Sequence, residues 1–351
     1  MSEELTDSAE RLFAKEASAA VLRDADAGTW PAALWDAVSA GGFTAALLPE
    51  DAGGFGISVP EAMALIRVAA GHAAPIPLGE TMLAGRILAQ AGLAVPEGPL
   101  SLAPVRRGDA FELSRAPGGE WRLVGTASRV PWARQAAVIA IVAKGPDGWY
   151  VASLPAGRFD SKPGDNLAGE PRDTMTVDTL LAATAVAQAP AHFDPDALRA
   201  AGAVLRTNQI AGAIARALAL TVGYVQVRVQ FGRPIGKFQA IQQNLAILAG
   251  QSAAAIAAAE MAAEALASGL NPVVVGAAKA RAGEAASIAA GIAHQAHGAI
   301  GFTQEYALHH LTRRLWSWRD EFGNEAEWQQ VVGRAAFAAG ADGLWAMITA
   351  A

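Results

Sequence analysis

Two short segments hold residue types able to meet a phosphate, although read singly the first is a solvated or helix-capping arginine and the second a turn. The first is Arg228-Val229-Gln230-Phe231-Gly232, the second His294-Gln295-Ala296-His297-Gly298-Ala299. A guanidinium presents a planar fork of donors to phosphate oxygens, and glycine lets the backbone come close to a phosphate. A third cluster, Asp320, Glu321, Glu325 and Glu327, surrounds Phe322. Taken alone, these acids read as solvated charges paired with Arg313, Arg314 and Arg319. His309-His310 offers imidazoles, but neighbours on a helix point about 100° apart and share one ion poorly. No acidic companion is placed for them in the sequence, so no metal site is expected. His294 and His297 lie at i, i+3 beside Gln295 and read as packing next to the second segment. Trp316 and Trp318 flank Ser317 and read as core or interface.

Other chemistries are excluded by what is missing. The 351 residues contain no cysteine, which removes disulfides, thiolate metal sites and thiol nucleophiles. No serine sits in a nucleophile-elbow pattern. No Gly-x-Gly-x-x-Gly follows a strand-like run, so a Rossmann dinucleotide site is not supported. With 52% hydrophobic and 17% charged residues and a net charge of -6, the chain reads as globular with a large core. Its mild acidity disfavours nucleic acid as a partner. No segment reads as a membrane span: Ala136–Ala143 is apolar but too short, and residues 285–302 are mostly Ala and Gly with polar interruptions. The acidic start MSEELTDSAERLF lacks the basic and apolar blocks of a signal peptide. A cytoplasmic location is expected.

The elements that must position these residues fall into three blocks. Residues 1–100 read as helical, with apolar residues at helical spacing in Leu12, Phe13, Val21 and Leu22, and again in Met63, Ile66, Val68 and Ala69. Pro49 to Gly56 is a loop, and Pro75 and Pro77 stop a helix. Residues 101–192 read as β: short runs at Glu120–Gly125, Ala136–Lys144 and Thr174–Leu180, with turn sequences at Pro117-Gly118-Gly119 and Gly145-Pro146-Asp147-Gly148. Residues 193–351 are helical and rich in alanine. Asp194 and Asp196 are good helix-start residues. Long helices are predicted over Leu198–Arg228, Lys237–Ala267, Val273–His297, Glu305–Arg319 and Glu325–Ala350. Segregated blocks of this kind make an α+β chain ending in a close-packed bundle.

The stretches around the two phosphate-type segments are longer: VRVQFGRPIGKFQAIQQNLAIL over Val227–Leu248 and HQAHGAIGF over His294–Phe302. Together they resemble the acyl-CoA dehydrogenase family, and PEDAGGFG over Pro49–Gly56 is similar to that family's early loop. The resemblance covers essentially the whole chain and is strongest from about 205 to 323. It implies an N-terminal helical domain, a central β domain and a C-terminal four-helix bundle, with FAD at a subunit interface. Arg228, Gln230, Phe231, Gln295 and Gly298 would then reach the pyrophosphate and adenosine of a flavin held largely by the neighbouring subunit. Ala299 stands where the family motif has its second glycine. The resemblance further implies an acyl-CoA substrate, lipid metabolism, an acceptor like electron-transfer flavoprotein, and a tetramer. That tetramer would be a homo- or hetero-oligomeric dimer of dimers.

The departures have a direction. The family's reaction removes the proton α to a thioester carbonyl with a carboxylate, while the β-hydrogen leaves as hydride to the flavin. An ungapped comparison from Gly301-Phe302 through Arg313 to Gly323 puts Phe322 in the place of that carboxylate, and phenylalanine accepts no proton. Glu321 is the nearest substitute. The family's alternative place falls at Gly202 and Ala203, and Leu198–Gly223 contains no Asp or Glu at all. The central domain has Leu102-Ala103-Pro104-Val105 and Thr126-Ala127-Ser128-Arg129-Val130 where fuller flavin-ring patterns are usual. Only the hydroxyls of Thr126 and Ser128 remain there to meet the ring. The leading expectation is therefore an FAD-dependent α,β-desaturation of an acyl-CoA. The alternative is a non-catalytic subunit that supports the flavin site of a homologous catalytic chain. An oxidase or monooxygenase on the same fold is a further rival.

Overall fold

The structure, a computed structural model, describes residues 2–349. Five helices come first: α1 (Ser2–Glu16), α2 (Ala19–Asp26), α3 (Ala32–Ala40), α4 (Val59–Gly71) and α5 (Leu78–Gln90). Eight strands follow: β1 (Leu100–Ala103), β2 (Ala110–Arg115), β3 (Trp121–Pro131), β4 (Val138–Gly145), β5 (Gly148–Pro155), β6 (Asp160–Lys162), β7 (Arg172–Leu181) and β8 (Val186–Gln188). Then come α6 (Pro195–Val227), a small hairpin of β9 (Val229–Gln230) and β10 (Arg233–Pro234), and α7 (Gln239–Ala267), α8 (Pro272–His297), α9 (Leu308–Trp318) and α10 (Glu325–Thr349). The order is the expected α+β one: helices, a β block, helices.

Local sequence explains where elements begin. Ser58 and Glu61 form a reciprocal cap on α4: the Glu61 N–H donates to Ser58 Oγ at 3.3 Å and the Ser58 N–H donates to Glu61 Oε2 at 2.8 Å. Asp194 caps α6 by accepting from the Ala197 N–H at 2.9 Å. Asn271 accepts from the Val273 N–H at 3.0 Å, with Pro272 opening α8.

The chain forms two compact units. One holds residues 1–34, 63–75 and 203–351; the other holds 35–62 and 76–202. The second unit is built on the sheet, in the order β6-β7-β3-β2-β4-β5-β8, with β1 added parallel to β4. The sequence Gly145-Pro146-Asp147-Gly148 is a hairpin turn, as expected, since Gly145 pairs with Gly148 across β4 and β5. Along β7, Met175 and Val177 are buried while Thr176 and Asp178 are exposed, the period of a half-buried strand. By contrast β4 is buried on both faces from Val138 to Ala143, which is why it reads as an unbroken apolar run.

The first unit is a helical assembly with an alanine interior. Ala282, Ala285, Ala286, Ala289, Ala290 and Ala293 of α8 are fully buried with Ala255 and Ala259 of α7 and Ile210, Ile214 and Ala217 of α6. Small side chains let helices approach closely. At α4 and α6 the approach is measurable: a Cβ on Gly212 would lie 2.0 Å from the carbonyl oxygen of Arg67. Two expectations need correction. The last helix is interrupted at Gly340 (φ 65°, ψ 179°), a conformation open to glycine, and Ala350 lies outside the described residues. Three helices, α6, α7 and α10, are long and apolar enough by length and composition to cross a bilayer, where no span was expected. Their alanine, leucine and isoleucine content raises the hydropathy.

Replacing Gly212 with Ala forces the α4–α6 contact apart and should lower unfolding free energy by about 1–3 kcal/mol. Gly250, on an open helix face with nothing within 4 Å of a built Cβ, is the control. Gly250→Ala should be neutral or stabilising by up to about 1 kcal/mol. Urea titration of both variants measures the difference.

Candidate functional site

The two phosphate-type segments both sit where a long helix ends. At the end of α6 the Arg228 N–H donates to Tyr224 O at 2.9 Å, and the Ile235 N–H donates to Arg228 O at 2.8 Å. The Arg228 backbone is thus held on both sides. The β9–β10 hairpin pairs Gln230 with Arg233, and its turn residues Phe231 and Gly232 have φ of 50° and 79°. This two-residue hairpin with positive φ at both turn positions wants glycine or asparagine. Phe231 carries the conformation as a bulky residue and is 91% exposed. The Arg228, Gln230 and Gln295 side chains are exposed and have no hydrogen-bond partner among the described residues.

At the end of α8, Gly298 caps the helix with φ 63° and ψ −142°, and its N–H donates to His294 O. A Cβ there meets nothing within 4 Å, so it is the backbone angle and not crowding that calls for glycine. Ala299 is exposed beside it. An aromatic cluster brings the two helix ends together. Tyr224 stacks on His297 at 4.5 Å between ring centres. His297 Nδ1 donates to Ala293 O at 2.7 Å, so its Nε2 accepts from the Tyr306 hydroxyl at 3.1 Å. Burial pushes the His297 pKa down and the Tyr306 pKa up, which keeps both neutral. His294 is sandwiched between Phe302 at 4.0 Å and Trp316 at 5.7 Å, and its Nε2 lies 2.8 Å from Thr312 Oγ1. Burial lowers its pKa as well. Both histidines are packing residues behind the exposed donors, and Trp318 is core.

The place of the expected carboxylate has a different construction. Phe322 is 3% exposed with φ 56°, and Gly323 follows with φ 100°. The Trp328 indole N–H donates to Phe322 O at 3.0 Å. Over the Phe322 ring, 5.3 Å from its centre, lies the guanidinium of Arg206. Arg206 is fully buried. Its Nε donates to Glu321 Oε2 at 2.7 Å and its Nη1 to Gln209 Oε1 at 2.6 Å. Glu321 is therefore not a solvated charge: its side chain is 8% exposed and tied to the buried Arg206. Of the arginines expected to pair with these acids, Arg319 does pair with Glu325 at 2.9 Å, while Arg313 reaches Asp26 at 2.6 Å. Lys279 completes the arrangement from α8. It is buried, and its Nζ donates to Arg319 O at 2.6 Å and to Gly323 O at 2.9 Å. Burial is the main cause of its pKa being pulled down to about 8, against the opposing pull of Glu325, Asp320 and Glu321.

In the β unit the hydroxyls left for a flavin ring are already engaged. Ser128 donates from N and Oγ to Asp109 at 3.0 and 3.2 Å. Thr126 is exposed, with its Oγ1 3.4 Å from Thr176 Oγ1. Leu102 and Ala103 are fully buried. Elsewhere in the helical unit, a cavity of about 300 Å³ lies at Arg67, Gly71, His72, Gly212 and Arg216. None of its lining residues is a candidate site residue.

Arg206, Lys279 and Asp26 are the residues that sequence reasoning missed. Arg206 had a signal: it is a cation in a stretch of α6 without any acid, so its counter-charge had to come from another element. Lys279 had a weaker one: its alanine-rich helix carries one acid, Glu284, five residues on and so on a different face.

Two domain families match the chain. The acyl-CoA dehydrogenase N-terminal domain matches residues 2–94, and the acyl-CoA dehydrogenase C-terminal domain matches residues 201–336. The acyl-CoA dehydrogenase IpdE2 of Mycobacterium tuberculosis is 43% identical over 123 residues, 34% of this chain. The matched region spans only 36% of that relative's own length. Among solved structures, a variant of the Tcur3481–Tcur3483 steroid ACAD is similar at 25% identity and a TM-score of 0.85, over 97% of this chain and 99% of that one. The ChsE4–ChsE5 complex from Mycobacterium tuberculosis shares the fold at 22% identity and a TM-score of 0.84, over 96% and 97% of the two chains.

Breaking the buried ion pair from one side, as Arg206→Met or Glu321→Gln, should cost about 3–5 kcal/mol, because the remaining charge stays buried alone. The double variant Arg206→Met/Glu321→Leu should recover most of that loss in denaturant titrations. Lys279 yields a pH signature. Between about 8 and 10.5 the unfolded chain keeps a proton here that the folded chain has released, so this group makes stability rise with pH across that window. Lys279→Met should remove that part of the rise, as measured by melting curves through the window.

Proposed function

Because the chain belongs to the acyl-CoA dehydrogenase family, whose cofactor is FAD, we propose that it takes part in the α,β-desaturation of an acyl-CoA as a supporting subunit. It completes the flavin site of a homologous catalytic chain and removes no proton itself. The observation that carries this reading is the Arg206–Glu321 pair under Phe322. A general base must reach the proton with a free lone pair. Phe322 has none, and Glu321 directs Oε2 at Arg206.

The residues on the lending side fit the flavin. Arg228, Gln230 and Gln295 are exposed donors on two helix ends that the Tyr224–His297 stack joins. Gly298 and Ala299 leave the backbone there open to close approach. When bound, FAD accepts the β-hydrogen of the acyl chain as hydride. Arg228 would neutralise pyrophosphate charge, the two glutamines would orient the adenosine end, and Phe231 would cover apolar surface. On the chain's own flavin side, the Ser128–Asp109 bonds leave little to offer.

Assembly into a hetero-oligomeric dimer of dimers is supported by exposed apolar residues of α10, including Phe337, Trp345 and Ile348. The similarity to ChsE4–ChsE5, itself a complex of two different chains, points the same way. Electrons would leave through an acceptor like electron-transfer flavoprotein. The reading of a self-sufficient dehydrogenase using Glu321 has the buried Arg206 against it.

Expressed alone, the chain should hold far less than one FAD per polypeptide, and anaerobic addition of a panel of acyl-CoAs should bleach nothing. Assembled with its homologous partner it should bleach. Arg228→Ala in the assembly should then weaken FAD retention at least tenfold with the oligomer intact, read by gel filtration at two wavelengths. Stoichiometric flavin that acyl-CoA bleaches in the isolated chain would overturn the proposal.

A further inference from the structure

His309-His310 is a motif that the flavin function leaves unused, and the fold gives it the acidic companion the sequence did not show. Asp26, at the end of α2, lies against the first turn of α9. Ligand atoms of Asp26, His309 and His310 all fall within 4.8 Å of one another. The two imidazoles are not splayed apart as a mid-helix pair would be, since their ring centres are 3.9 Å apart.

The hydrogen bonding leaves the right atoms available. His309 Nδ1 lies 2.8 Å from Tyr306 O and must be its donor, because a carbonyl only accepts. That fixes the ring and presents the Nε2 lone pair outward, the second-sphere arrangement that orients metal-binding histidines. His310 is 4% exposed, and its Nδ1 is buried with no hydrogen-bond partner, 3.5 Å from Asp26 Oδ2. A buried imidazole nitrogen without a partner costs free energy unless something else binds it. Arg313 donates to Asp26 Oδ2 at 2.6 Å. A carboxylate has about four lone-pair positions, so the other oxygen stays open while Arg313 orients the group. The Asp26 side chain is 28% exposed, which leaves room for a water as a further ligand.

We infer that Asp26, His309 and His310 form a binding site for a divalent cation of the zinc type, which ties α2 to α9. Two nitrogens and one carboxylate oxygen are a set that suits zinc, with the fourth tetrahedral position taken by solvent. Bonds of about 2.0–2.2 Å require the farthest ligand pair to close by about an ångström, within the reach of side-chain rotation at the partly exposed Asp26. The positive charge of Arg313 opposes the cation and lowers affinity. The site is independent of the flavin reading and of any partner chain.

The test is a zinc titration of the chelator-treated full chain against a chromophoric competitor, with no flavin or acyl-CoA present. One zinc per chain should bind with micromolar or tighter affinity, and zinc should raise the melting temperature. Asp26→Asn keeps an oxygen for Arg313 and His309→Gln keeps a polar side chain, so both should fold with the metal-free melting curve lowered only slightly, by the loss of one partly exposed ion pair. Each should weaken zinc binding at least tenfold. Arg313→Gln, which keeps a donor and removes the charge, should tighten it. Cobalt substituted for zinc should show tetrahedral visible absorption that Asp26→Asn removes. No stoichiometric zinc at micromolar concentration would overturn the inference, and so would zinc binding that ignores both Asp26→Asn and His309→Gln.

Discussion

The buried ion pair between Arg206 and Glu321 governs how the helical unit can be arranged. Arg206 sits in a helix without a single acid from Leu198 to Gly223, where its own helix supplies the neutral Gln209 Oε1 but no counter-charge. An uncompensated charge in such surroundings costs several kcal/mol. The connection between α9 and α10 must therefore turn inward to deliver Glu321, and it does so through two residues of positive φ, Phe322 and Gly323. Lys279 then holds the turn from below through two carbonyls that bracket it. Three helices and one loop become mutually dependent through two buried cations. The result also places an arginine and a phenyl ring at the position where the family resemblance led us to expect a carboxylate.

The same arrangement separates what is inward from what is offered. Inside, charges are matched within the chain and histidines are locked neutral between aromatic rings. At the surface, the ends of α6 and α8 present Arg228, Gln230 and Gln295 without partners of their own. Helix ends suit this role, because a chain leaving a helix must expose backbone and reverse direction, and Phe231-Gly232 and Gly298 supply the angles. Under the proposed function, these donors are what the chain would lend to a partner's flavin.

Much of the fold was legible because the signals were local. Alanine-rich helical runs, the Asp194 cap, the Gly145–Gly148 turn and the alternation along Thr174–Leu180 all depend on neighbours in sequence. What could not be read was pairing across distance. Glu321 was expected to face arginines a few residues away; it bonds Arg206 at a separation of 115 residues. Asp26 joins Arg313 at a separation of 287, a juxtaposition that no periodicity announces. The break at Gly340 was also hidden, since a glycine inside a helical pattern can equally stay helical.

Exchange of the α-hydrogen of an acyl-CoA with deuterated water tests the absence of a base most directly, because it reports proton abstraction apart from hydride transfer. With the chain alone, supplied with FAD and an acyl-CoA, exchange should not exceed the rate in buffer. Exchange well above buffer that Glu321→Gln abolishes would contradict the account, because it would show that the carboxylate tied to Arg206 is the catalytic base.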